Sequence, residues 1–256
     1  MRFVISGSDK RLQMLEKIMR EEGMDVQTAR SRADFAQADA LVTKYPFDDM
    51  TGEGVFDLRK GAHLFLLNAK EVEKELKETF IVHSLMDETN FAEENAYITA
   101  EGAVYCAMRD APFTLAGADI AVVGFGKIGR CLTELLVSVG AQVTVFSRRE
   151  SGRLSAMARG ANGASVEKMR ALLADFQVIF VTSPTRMLSE REMHYISKSA
   201  FVYDLSGPPY GVDVEAAEEM GVCAKRESAL PGRYAPKSAA KILFKTIQNL
   251  LGGEKV

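Results

Sequence analysis

Apolar residues in this chain alternate between two rhythms: short continuous runs of about four to six residues, as strands have, and longer stretches with a helical period. Arg2-Phe-Val-Ile-Ser-Gly7 predicts a strand ending in a turn, and the stripe Leu12, Leu15, Ile18 and Met19 predicts a helix that Asp9 can cap. Gly23 stops that helix, and residues 25–29 and 38–43 predict two further strands. His63-Leu-Phe-Leu-Leu67 and Phe80-Ile-Val-His-Ser-Leu85 read as strands flanking a charged helix over 71–78. Residues 44–54 are turn-rich and read either as a loop at the carboxyl end of a strand, where open α/β sheets line their ligand crevices, or as an irregular surface connection.

The pattern changes over 95–108, where Ile98, Val104, Tyr105 and Met108 predict a helix that Pro112 ends. Strand and helix runs then resume. The fold class that results is α/β, with two Rossmann-like domains, the second a doubly wound dinucleotide-binding domain. The expected organisation is an N-terminal α/β domain over 1–94, a connecting helix over 95–112 and a nucleotide domain over 113–235. A C-terminal helix over 236–251 is expected to pack back on the first domain.

Ile120-Ala-Val-Val-Gly-Phe-Gly-Lys-Ile-Gly-Arg130 joins an apolar strand to an amphipathic helix through glycines spaced G-x-G-x-x-G. Gly124 allows the turn, Gly126 lets backbone approach a pyrophosphate, and Gly129 lets the helix lie close on its strand. Lys127, Ile128 and Gly129 open the helix, whose positive end takes the phosphates. A β-branched strand over 142–146 follows about 20 residues on, as this fingerprint requires. An NAD site then normally carries Asp or Glu for the ribose 2′-hydroxyl, but here Ser147, Arg148 and Arg149 come first and Glu150 only afterwards. A hydroxyl and two guanidiniums suit a 2′-phosphate that a carboxylate would repel, so the cofactor reads as NADP. NAD is the alternative if Glu150 folds back onto the ribose. The strand Phe176-Gln-Val-Ile-Phe-Val-Thr-Ser-Pro184 closes in a turn that a doubly wound sheet places beside the cofactor, making Thr182, Ser183 and Pro184 candidates to line it.

Further on, Phe201-Val-Tyr-Asp-Leu-Ser206 reads as a strand, Asp213 as the cap of a short helix, and 222–224 as another strand. Leu230 to Ala235 reads as a loop that stiffens into a helix at Pro236. Arg233, Lys237 and Ser238 thus gather at a helix start, which suits a bound carboxylate or phosphate; a solvated helix cap is the alternative.

Composition narrows the function classes. With 256 residues, 47% hydrophobic and 26% charged, the chain is globular and can hold two modest cores. A net charge of −3 argues against nucleic acid or an anionic membrane as partner. No apolar run approaches the roughly 18 residues of a membrane helix, and no signal peptide is evident, so a cytoplasmic protein is expected. Cys106, Cys131 and Cys223 lie far apart without a C-x-x-C, and His63, His83 and His194 are isolated, so no metal site is expected.

Several segments together resemble the family of the A subunit of bacterial dipicolinate synthase. They are Val4-Ile-Ser-Gly-Ser-Asp9, Thr51-Gly-Glu-Gly54, Glu101-Gly102, Gly124 to Gly129, Asp204-Leu205, Leu230-Pro-Gly and Ala235-Pro-Lys-Ser-Ala. The resemblance implies a two-domain dehydrogenase architecture and NAD(P)-dependent formation of pyridine-2,6-dicarboxylate, the spore calcium chelator, from a cyclic imine dicarboxylate. It also implies a flavoprotein-like B subunit, and a homo-oligomer is expected. On that reading the substrate carboxylates call for cations, for which Arg233 and Lys237 are the candidates, with Lys44 in support. Glu53 and Glu101 are the candidate proton acceptors, provided burial raises their pKa. Two alternatives stay open: a non-catalytic NADP(H)-binding protein with a regulatory or scaffold role, and a reductase similar to 2-hydroxy-acid dehydrogenases. Against the latter, no His follows the strand at 201–206 or appears in the last loop.

Overall fold

The computed structural model describes residues 1–69 and 71–253. They form two compact units: residues 1–95 together with the chain from Pro231 onward, and residues 96–230.

The first unit runs β1 (Arg2–Ile5), α1 (Lys10–Glu21), β2 (Asp25–Thr28), β3 (Ala40–Lys44), α2 (Asp49–Gly54), β4 (His63–Leu67), α3 (Lys74–Thr79) and β5 (Ile81–Ser84), then enters α4 (Thr89–Asp110). Its strands are all parallel in the order β2-β1-β3-β4-β5, so the winding direction reverses between β1 and β3. Parallel strands need crossovers that cover both faces of the sheet, which is why they read as unbroken apolar runs. Successive residues serve opposite faces: Phe3, Ile5, Val42 and Phe65 enter one core cluster, and Val4, Leu41, Leu64 and Leu66 the other. Asp9 caps α1, its carboxylate accepting from the Arg11 amide at 2.9 Å.

The second unit continues with β6 (Asp119–Val123), α5 (Lys127–Ser138), β7 (Gln142–Phe146), α6 (Glu150–Met157), β8 (Asn162–Ala164), α7 (Met169–Leu172), β9 (Val178–Val181), α8 (Glu190–Met193), β10 (Phe201–Asp204), α9 (Val214–Glu219) and β11 (Cys223–Arg226). The order β11-β10-β9-β6-β7-β8 is that of a doubly wound dinucleotide-binding sheet, with its reversal between β6 and β9. The end of α4 is tied to this sheet. Tyr203 on β10 stacks on Phe180 with ring centroids 5.3 Å apart, and its hydroxyl donates to the Asp110 carboxylate at 3.1 Å. The chain then returns to the first unit through α10 (Leu230–Tyr234) and α11 (Pro236–Gly253), whose Ala240, Leu243, Phe244 and Ile247 share a core with Leu12, Leu15 and Met19 of α1.

Several elements depart from the expectations. Residues 44–54 are not all loop: Asp48 accepts from the Thr51 amide at 2.8 Å and starts α2. Gly54 there lies so close to the Phe35 ring that a Cβ would sit 2.5 Å from it. The expected loop over 230–235 is largely the short helix α10, since Pro231 fits a first helical turn. The connecting helix expected over 95–112 begins earlier, at Thr89, and ends at Asp110. The helix expected over 71–78 covers only Lys74–Thr79.

Candidate functional site

At the reversal between β6 and β9 the loops that follow the two strands diverge, and a pocket of about 490 Å³ opens there. The glycine loop shapes one wall. Gly124 has φ +102°, a conformation that favours glycine, and a Cβ on it would lie 2.7 Å from Thr182 Oγ1. A Cβ on Gly129 would collide with the carbonyl of Gly124, so α5 can approach its strand only with glycine there. A Cβ on Gly126 would instead meet nothing within 4 Å, so the backbone at this point adjoins open space. Gly126 is also the N-cap of α5 and has no side chain to take the first-turn N–H groups, which include those of Lys127, Ile128 and Gly129. Such a helix start is fitted for a phosphate.

The same pocket is lined by Ser147, Arg148 and Arg149 after β7 and by Thr182, Ser183 and Pro184 after β9. Thr182 is held in place by its hydroxyl, which donates to the Val123 carbonyl at 3.3 Å. Ser147 is buried, whereas Arg148 and Arg149 are exposed, and the Arg148 guanidinium donates to Thr185 Oγ1 at 3.2 Å. Arg153 stiffens this turn from below, donating to the carbonyls of Ser147 and Arg148 at 3.0 and 3.1 Å. Glu150 lies outside the lining, as the exposed first residue of α6.

Sequence reasoning missed part of this site. Phe125, Phe146, Val166 and Met187 complete the lining, and a neighbouring cavity of about 700 Å³ shares Arg148, Val166 and Met187 with it. That cavity extends to Arg170, which donates to Glu192 at 2.7 Å and stands 5.7 Å over the Tyr195 ring. Phe125, Val166 and Met187 lie in connecting segments, where apolar residues carry no periodic signal that would have singled them out, and Phe146 reads as an ordinary buried residue at the end of β7.

The other candidates lie elsewhere. Glu53 on α2 and Arg233 and Lys237 at α10 and α11 belong to the first unit, and Glu101 on α4 belongs to the second. All four are exposed, so neither glutamate has the burial that its role as a proton acceptor called for. Arg233 stacks at 5.1 Å over the ring of Tyr234 and donates to its hydroxyl at 3.3 Å. Asp204 has a structural role at the end of β10. Fully buried, its carboxylate accepts from the Ser206 amide at 2.9 Å, the Ser206 hydroxyl at 2.6 Å and the Val212 amide at 3.0 Å, which fixes the turn after that strand.

Residues 84–203 match the family model of the D-isomer specific 2-hydroxyacid dehydrogenase, NAD binding domain. The match spans both β6 and β9, whose divergence opens the pocket. A likeness over the whole chain comes from the A subunit of dipicolinate synthase of Bacillus subtilis (strain 168), which is 23% identical across 97% of this chain and 94% of its own length. The chain resembles that dipicolinate synthase component in both of its units. The crystal structure of the A subunit of dipicolinate synthase from Bacillus halodurans superposes with a TM-score of 0.85 at 24% identity, covering 98% of this chain and 97% of that one. The corresponding structure from Bacillus subtilis gives 0.81 at 19% identity, covering 99% and 96%. The dehydrogenase match marks the second unit as a binder of a nicotinamide dinucleotide and supports an oxidoreductase. Among the described residues no helix is long and apolar enough to cross a membrane.

Proposed function

We propose that this chain is the A subunit of a dipicolinate synthase or a close relative of it, catalysing NADP-dependent oxidation of a dihydrodipicolinate-type cyclic dicarboxylate to pyridine-2,6-dicarboxylate. It would work in the cytoplasm as a homo-oligomer, with a flavoprotein-like B subunit. The observation that carries this reading is the extent of the likeness to the dipicolinate synthase component. In sequence it covers 97% of the chain, whereas the dehydrogenase family model matches residues 84–203.

Aromatising a dihydropyridine removes one hydride and one proton from the ring. The bound nicotinamide supplies the hydride acceptor. Around it, the first turn of α5 takes the pyrophosphate and the Thr182-Ser183-Pro184 turn borders the nicotinamide end. Ser147, Arg148 and Arg149 hold the 2′-phosphate, a role supported by their shared place in one pocket lining from which Glu150 is absent. Arg233 and Lys237 bind a substrate carboxylate at the start of α11, and Glu53 or Glu101 accepts the proton once the substrate covers it.

The test is turnover of dihydrodipicolinate with NADP+ by the purified chain, followed at the absorbance of the pyridine product, with and without the flavoprotein-like partner. Product formation that depends on this chain supports the proposal. The exposure of both glutamates favours a second reading, a non-catalytic NADP(H)-binding protein with a regulatory or scaffold role. That reading gains if the partner by itself makes the product and this chain only modulates its rate. The matched dehydrogenase model favours a third, 2-hydroxy-acid dehydrogenase-like reduction, which is sunk if no 2-oxo acid oxidises NADPH in the presence of the chain.

A further inference from the structure

We propose that Lys44, at the carboxyl end of β3, is a carboxylate-binding residue that makes this chain prefer a dicarboxylate ring to a monocarboxylate one. The inference deepens the proposed function and rests on its dicarboxylate chemistry.

The first unit has its own topological reversal, between β1 and β3, and ligands of open parallel sheets bind outside the carboxyl ends of the strands at such a point. Asp9 follows β1 and Lys44 ends β3, so both lie at that reversal. The Asp9 side chain is only 3% exposed. It accepts from the Arg11 amide at 2.9 Å and from Arg11 Nε at 3.0 Å, and Lys44 Nζ lies 3.3 Å from the same Oδ2. One carboxylate therefore faces two cations. The Arg11 side chain, 9% exposed, neutralises Asp9 from the protein side, whereas the Lys44 side chain is 42% exposed. The cluster keeps a net charge of about +1, carried by the member that reaches solvent, and an ammonium has three N–H donors with which to hold a carboxylate.

Two further observations support a built site. The buried hydroxyls of Ser6, which follows β1, and Thr51 hydrogen-bond to each other at 2.6 Å, which ties the β1 turn to α2. On another side Gly232 packs so tightly on Asp9 that any Cβ would collide with the carboxylate, and Arg233 is the next residue. Asp9 thus gathers the ends of β1 and β3 and the start of α10 around a leftover positive charge. A mere surface ion pair, worth about 0–1 kcal/mol, needs neither a buried anion nor a second cation to neutralise it.

The experiment is calorimetric titration of the full chain, saturated with NADP+ in metal-free buffer, with pyridine-2,6-dicarboxylate and with pyridine-2-carboxylate. Wild type is expected to favour the dicarboxylate. Lys44→Met, which keeps the aliphatic stem, should lose roughly 10- to 150-fold in dicarboxylate affinity while holding the monocarboxylate within about twofold. Lys44→Arg should keep the preference, and NADP+ affinity and Tm should stay at wild-type values in both variants. If wild type is selective and Lys44→Met is equally selective, or if the variant weakens both rings alike, the assignment to Lys44 is overturned and the proposed function stands. If wild type binds neither ring, the dicarboxylate reading falls and takes this assignment with it.

Discussion

In the proposed function, three side chains after β7 govern the choice between NAD and NADP. Ser147, Arg148 and Arg149 line the pocket, and Arg148 is steadied by its bond to Thr185. Replacing either arginine by alanine removes a charge-assisted contact worth about 1.5–3 kcal/mol, so NADPH affinity should fall roughly 10- to 150-fold while NADH affinity barely changes. Fluorescence titration with both dinucleotides decides this. A wild type that binds NADH as tightly as NADPH would remove the assignment. Gly129→Ala tests the other wall. Its Cβ would be driven into the Gly124 carbonyl, which is backbone and cannot swing away, so α5 must shift at a cost of about 1–3 kcal/mol. Both dinucleotides should then bind more weakly and Tm should drop. The glycine turn and the absence of an acid directly after β7 were legible in the sequence, because glycine spacing and neighbouring residue types are local facts. The hold of Thr185 on Arg148 was not, since the two are brought together only by the adjacency of the loops after β7 and β9.

At the level of elements, the end of α4 is pinned to β10 and β11 by one carboxylate. Asp110 receives Arg109 Nε at 2.8 Å, Lys225 Nζ at 2.8 Å and the Tyr203 hydroxyl at 3.1 Å. The Arg109 bond first, then those of Lys225 and Tyr203, hold its carboxyl well below the usual carboxylate range against the opposing effect of burial. Its own burial first, and then the same contact, push the Tyr203 hydroxyl upward, so it remains a donor. A carboxyl whose pKa is depressed on folding contributes stability that is present above its unfolded pKa and lost as pH falls through the folded one. Asp110→Asn should therefore cost about 1–3 kcal/mol at neutral pH, with the two cations partly screened by solvent. It should also flatten the loss of stability below about pH 4. Urea unfolding at a series of pH values measures both, and an acid limb as steep as wild type would refute the role. The helix itself was expected, as a connection over 95–112, but the partners that hold its end at Asp110 lie more than 90 residues away. α2 was missed for the opposite reason. Two glycines argue locally against a helix, and it forms because Asp48 caps it and Gly54 packs under Phe35.

For the molecule as a whole, the first unit is closed by the last helix of the chain. Leu243 is fully buried in the cluster that α11 shares with α1, so Leu243→Ala should destabilise by about 2–5 kcal/mol. Calorimetric melting checks it, and an unshifted transition would mean that α11 does not complete that core. Strand and helix periods along the chain were enough to derive two parallel α/β layers, the dinucleotide turn and the cationic stretch that follows β7. Each of those is set by residues within a few positions of one another, where side-chain direction and backbone propensity act directly. The strand orders, and with them the loops that meet at each reversal, arise from pairing between segments tens of residues apart. Only the folded chain therefore shows Arg11 and Lys44 sharing Asp9, the apolar lining from Val166 and Met187, and the exposure of Glu53 and Glu101. Burial and charge pairing sum over many distant neighbours, and no local window of sequence contains them.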